Sequence, residues 1–76
     1  MYYGDWSAGN TYSSRGGYEG TNQGALRRVL RSIARGNQTS PTESCGISIY
    51  DDKTDMVREE SYQSGKWWII QPYRRG

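Results

Sequence analysis

The chain has 76 residues, of which 33% are hydrophobic, with a mean hydropathy of −1.00 and a formal net charge of +2. Leu, Ile and Val together number nine and Phe is absent, which leaves room for one small core and excludes a two-domain enzyme. No apolar run approaches the ~18 residues of a membrane span, and seven Tyr and three Trp supply the bulk that aliphatics usually provide.

Residues 1–20 carry five of the ten glycines, four of the seven tyrosines and Trp6. Spaced aromatics among Gly and Ser (Trp6, Tyr12, Tyr18) suit a low-complexity arm or one or two short strands. A strand is expected around residues 10–14 or 16–20. Thr21 or Asn22 can cap the next element by accepting an orphan backbone N–H. From there Leu26, Val29, Leu30, Ile33 and Ala34 recur at i, i+3, i+4, i+7 and i+8, which predicts a helix over 23–35 with one apolar stripe. Gly36 is the expected C-cap. Residues 37–44 read as a polar loop in which Pro41 blocks continuation.

Cys45 to Tyr50 alternates, with Ile47 and Ile49 on one face and Ser48 and Tyr50 on the other. Asp51-Asp52-Lys53-Thr54 is turn chemistry. Asp55 to Tyr62 reads as a polar strand, and Gln63-Ser64-Gly65-Lys66 as a second turn. The unbroken run Trp67-Trp68-Ile69-Ile70 predicts a central strand covered on both faces, ended by Pro72 and paired with the N-terminal strand. The expected fold is α+β: one domain over residues 1–76, with one helix packed on one face of an antiparallel sheet of three to five strands, in β(β)αβββ order.

Charge is segregated. Arg27, Arg28, Arg31 and Arg35 give the helix a local charge of +4, while the six acids and two bases of residues 43–60 give −4. Arg27, Arg31 and Arg35 share a helix face. Acids of the meander can offset that stripe; otherwise it is a docking site for an acidic partner or a nucleic-acid backbone, extended by Arg74 and Arg75.

Catalytic chemistry finds few tools. The chain contains no His and one Cys, so neither a Ser/His/Asp nor a Cys/His arrangement can be built, and a zinc site lacks ligands. Asp51-Asp52-Lys53-Thr54-Asp55 misses the calcium-loop frame, because Lys53 falls at position three of the Asp-x-Asp-x-Asp start and the later bidentate Glu has no proper frame. No phosphate-loop order exists. The expectation is no enzyme, no metal and no cofactor. The unpaired Cys45 and an opening without a charged-then-apolar leader point to the cytoplasm.

Of Trp67 and Trp68, one must face the helix and the other the opposite side. The second either packs under the N-terminal segment, the favoured reading, or is exposed. Exposed, it would join Tyr50, Arg58 and Tyr62 in a recognition surface, since Trp, Tyr and Arg dominate binding hot spots. The candidate partner-binding residues are Tyr50, Asp51, Asp52, Arg58, Glu60, Tyr62, Trp67 and Trp68.

A chain of this length, built as strand–helix–three-strand meander without a catalytic motif, resembles the small phage-encoded anti-CRISPR inhibitors that carry one helix on an antiparallel sheet. The resemblance covers helix 23–35 and strands 45–71 and transfers no residue roles. It implies a steric mechanism, in which the protein occupies a surface of a CRISPR effector complex, with the acidic and aromatic meander as contact face. The leading expectation is therefore a non-enzymatic protein-binding module, a monomer or homodimer. Alternatives are a small nucleic-acid-binding protein that uses the Arg-rich helix, or a self-assembling phage component in which the helix of one copy meets the acidic meander of another.

Overall fold

A computed structural model of the chain describes residues 1–9, 14–38, 40 and 43–76. The elements run β1 (Tyr2–Ala8), β2 (Ser14–Gly20), α1 (Gln23–Gly36), β3 (Cys45–Asp51), β4 (Met56–Gln63) and β5 (Lys66–Arg74). All five strands form one antiparallel sheet in the order β2-β1-β3-β4-β5. The fold is α+β, with the helix on one face.

The N-terminal segment forms both β1 and β2. The strand expected at 16–20 is the body of β2, whereas residues 10–13 and Pro41 lie outside the described residues. β1 hides its signal because Gly4 and Asp5 interrupt its aromatics. Gly4 is nonetheless essential to packing, since a Cβ there would stand 2.5 Å from Leu30 Cδ1 and 3.3 Å from Leu26 Cδ2. The helix thus settles directly on the β1 backbone.

Asn22 caps α1 from an extended conformation, its Oδ1 accepting from the Ala25 N–H at 3.0 Å. The C-terminal end departs from expectation. Gly36 is the last helical residue, and Asn37 closes the helix by donating its Nδ2 to the Ile33 carbonyl at 2.8 Å. A side-chain amide thereby replaces the left-handed glycine cap. Leu26, Leu30 and Ala34 are buried against Ala8, Cys45, Ile47 and Ile49. Val29, part of the expected stripe, is 47% exposed, at the helix flank beside Tyr18.

The turn between β3 and β4 holds Asp55 at φ 60°. Asp51 organises it by accepting from the Lys53 N–H at 3.0 Å. The expected strand start at Asp55 accordingly shifts to Met56. Ser64 and Gly65, both at positive φ, join β4 to β5 between paired Gln63 and Lys66, as a two-residue hairpin requires.

β5 corrects the sequence reading most sharply. It lies at the sheet edge, and β1 instead fills the free side of β3. Trp68, Ile69, Ile70 and Tyr73 are 50%, 53%, 49% and 48% exposed. Pro72 does not end the strand, which continues to Arg74. The register shift between Val57 and Glu59 falls opposite the Gln71-Pro72 pair, and an edge strand at such an irregularity accommodates the missing N–H.

Candidate protein-binding surface

Directly paired residues of an antiparallel sheet share a face, so the register sorts every candidate side chain. The helix side carries Arg58, Glu60 and Tyr62 of β4, opposite Ile49, Ile47 and Cys45 of β3. Trp67 joins them opposite Tyr62. The open side carries Tyr50, opposite Tyr3 and Val57, and Trp68, opposite Ser61. The eight candidate partner-binding residues therefore do not form one surface.

The helix-side group forms an internal ion cluster. Glu60 is 2% exposed. Its carboxylate accepts from Arg27 Nε at 2.8 Å, Arg58 Nε at 2.8 Å and Arg31 Nε at 2.6 Å. Burial pushes the Glu60 carboxyl up, yet the hydrogen bonds from Arg58 and Arg31 and the charge of Arg27 outweigh it and hold the group below its ordinary value. Arg31 also lies 4.6 Å above the Trp67 ring, and Arg35 lies 4.4 Å above Tyr62. The two rings sit 5.2 Å apart. Arginine stems and guanidinium planes thus cover the part of the sheet that the helix itself does not reach.

Three of the four helix arginines are consequently engaged within the domain, and Arg28 alone among them is exposed with no such contact shown. Glu60, placed by sequence on a recognition surface, is buried because it supplies the counter-charge for this arginine set. Along the chain it is one of six acids in residues 43–60, with nothing local to set it apart. Period-two alternation within β4 puts Arg58, Glu60 and Tyr62 on one face, but only the long-range register shows that this face meets the helix.

The open side holds a cleft of about 1010 Å³ whose walls include Tyr3, Tyr50 and Tyr73 and whose charged residues are Asp5, Glu19 and Arg75. Tyr3 and Tyr50 stack with centroids 6.5 Å apart. A smaller adjoining hollow of about 270 Å³ is lined by Asp5, Ser7, Ser48, Glu59, Ser61 and Ile70. Small side chains make the floor and tyrosines the rim, so the face is concave. Partial desolvation, with the neighbouring Glu59 carboxylate, raises the Asp5 carboxyl above its ordinary value. Hydrogen bonding to Glu59 likewise raises the Tyr73 phenol. Among the described residues neither Asp5 nor Glu59 forms an ion pair.

One end of the cleft is organised by Asp55. Tyr50 donates its hydroxyl to Asp55 Oδ1 at 2.8 Å, which raises the phenol and lowers the carboxyl. The Asp55 carbonyl accepts from the Arg75 N–H at 2.8 Å, and Asp55 Oδ2 accepts from the Gly76 N–H at 3.1 Å. Arg75 is thereby held 4.6 Å over the Tyr50 ring. Asp51 ends β3, and Asp52 lies in the adjoining turn, where it accepts from the Met1 ammonium at 3.1 Å. Trp68 extends the face at the edge, with its indole N–H donated to the Gln63 carbonyl at 3.3 Å and Lys66 Nζ 4.1 Å from its ring. The alternation of Trp67 and Trp68 is as expected, but Trp68 is exposed rather than packed under the N-terminal strands, because β1 and β2 lie at the far side of the sheet.

Among the described residues no group of three His, Cys, Asp or Glu side chains converges as metal ligands would, and no helix is long and apolar enough to cross a membrane. Comparison with protein-family models, with curated proteins and with solved structures finds no match to this chain.

Proposed function

We propose that the chain is a non-enzymatic protein-binding module whose open sheet face receives a basic surface of a partner protein. The observation that carries this reading is the concave, tyrosine-rimmed cleft, with Asp5 and Glu19 at its walls and Glu59 in the adjoining hollow. Tyrosine combines large contact area with a hydrogen-bonding tip, and carboxylates steer and orient a cationic partner. Arg75 over Tyr50 illustrates, within the chain, how a guanidinium seats on that rim.

The nucleic-acid alternative draws on Arg27, Arg28, Arg31, Arg35, Arg74 and Arg75; of these, Arg27, Arg31 and Arg35 are already engaged with Glu60 and Tyr62, and Arg75 lies over Tyr50. The more specific form of the protein-binding reading is the one the resemblance implies: a phage inhibitor that blocks a host defence complex sterically by covering a basic surface.

Affinity capture from a host lysate tests the reading when run on variants in parallel. Tyr50→Ala and the double change Asp5→Asn with Glu59→Gln are expected to lose a stoichiometric protein that wild type and Arg28→Glu retain. A capture that yields only nucleic acid, or that fails with Arg28→Glu alone, overturns it.

A further inference from the structure

The exposed edge of β5 is separate from the cleft and makes its own demand. An edge strand presents a row of unpaired backbone N–H and C=O groups, and natural sheets shorten, charge or cover such edges. β5 is nine residues long, and its centre is Trp67-Trp68-Ile69-Ile70 with no charge. Lys66 at one end, Pro72 and Arg74 at the other, restrict pairing to the stretch between them. The chain protects the ends of this edge and leaves its middle open.

We propose that β5 is a homodimer interface, in which a second copy pairs antiparallel with it about a two-fold axis at Ile69. This register places Ile69 opposite Ile69 of the second copy on the helix side. On the open side it places Trp68 opposite Ile70, an aromatic–β-branched pair of the kind that stabilises cross-strand contacts. Trp67 faces Gln71, and Lys66 faces Pro72, where pairing stops.

Charge selects this register. Centring the axis on Ile70 would set Lys66 against Arg74 at both ends, and like charges directly opposite are destabilising. Centring it on Ile69 moves Arg74 beyond the paired stretch. A two-fold operator uses the same patch twice and closes the assembly, so the free edge is consumed rather than passed on. The product is a continuous ten-stranded sheet with two open faces side by side. It offers a repetitive partner two clefts without occupying either one, since none of the residues paired between Lys66 and Pro72 lines the cleft, and Tyr73, its rim residue on β5, lies beyond the paired stretch.

Sedimentation equilibrium and crosslinking test the interface. Wild type is expected to approach twice the 8.7 kDa of one chain at high micromolar concentration, and Ile69→Lys, with two lysines facing across the axis, is expected to stay monomeric with an unchanged circular dichroism spectrum. In a Cys45→Ser background, Ile69→Cys is expected to form a disulfide-linked dimer with glutathione disulfide as oxidant, because opposed residues lie within disulfide reach. Gln71→Cys, displaced from the axis, is expected not to. Wild type that remains monomeric throughout, an Ile69→Lys dimer, or crosslinking of Gln71→Cys equal to that of Ile69→Cys overturns the proposal.

Discussion

Replacing Glu60 by Gln tests whether the arginine stripe is an internal structural device. The carboxylate is wholly buried and meets three guanidinium groups at 2.6–2.8 Å, while the arginine side chains themselves remain 25–33% exposed. Removing one partner of a buried ion pair costs about 3–5 kcal/mol, chiefly through the charge left behind. Because water still reaches the arginines, the lower end applies, about 3 kcal/mol. In a domain of this size each kcal/mol shifts the melting temperature by roughly 4–8 °C, so Glu60→Gln should melt on the order of 15 °C below wild type. The pH dependence carries an independent signature. The folded-state carboxyl lies below its ordinary value of 4.5, so the unfolded chain binds the extra proton first on acidification. Glu60 therefore contributes its full stabilisation above that ordinary value and loses it as pH falls through the folded-state value. Calorimetry at neutral pH and at successively lower pH should show the gap between wild type and Glu60→Gln narrowing in acid. A variant within about 0.5 kcal/mol of wild type at neutral pH, the ordinary range for surface changes, would refute the internal role. So would a gap that stays constant down to full acid unfolding.

Gly4→Ala should cost about 1–3 kcal/mol by overpacking, because its Cβ would collide with Leu30 Cδ1; urea denaturation should show a lower midpoint at unchanged slope, and a neutral result would mean that α1 sits less closely on β1. The two adjacent tryptophans should separate by role. Trp67→Ala loses the contacts to Tyr62 and Arg31 and should destabilise by about 2 kcal/mol, less than the 3–5 kcal/mol of a fully buried Trp. Trp68→Ala should stay within about 1 kcal/mol of wild type, and equal losses in denaturant titrations would contradict the assigned faces.

The parts of the fold written in local pattern were legible in the sequence. The helix over 23–35 followed from the spacing of Leu26, Leu30 and Ala34, and the faces of β3 from the alternation of Ile47 and Ile49 with Ser48 and Tyr50. What escaped was the long-range pairing. β1 carries Gly4 and Asp5 where a strand usually shows branched residues, and nothing local announces that it will take the free side of β3. That single pairing leaves β5 at the edge and turns an apparently central apolar run into an exposed one. The candidate surface suffered similarly. Tyr50 and Trp68 belong to the open face, whereas Arg58, Glu60, Tyr62 and Trp67 turn toward the helix, because residue parity decides the face and register decides what that face meets. The arginine stripe looked available because its counter-ion lies 29 and 33 residues away from Arg31 and Arg27. Asp5 and Glu19, both in the Gly-rich N-terminal segment, reached the cleft through the same unforeseen pairing.

The claim that the open sheet face binds the partner, and that the arginine helix does not, is tested most directly by titrating isotope-labelled protein with the captured partner and following backbone amides by NMR. The account predicts the largest changes at Tyr3, Ser48, Tyr50 and Val57, with Arg28, Arg31 and Arg35 left largely unmoved. Changes centred on those three arginines, with a silent cleft, would contradict it.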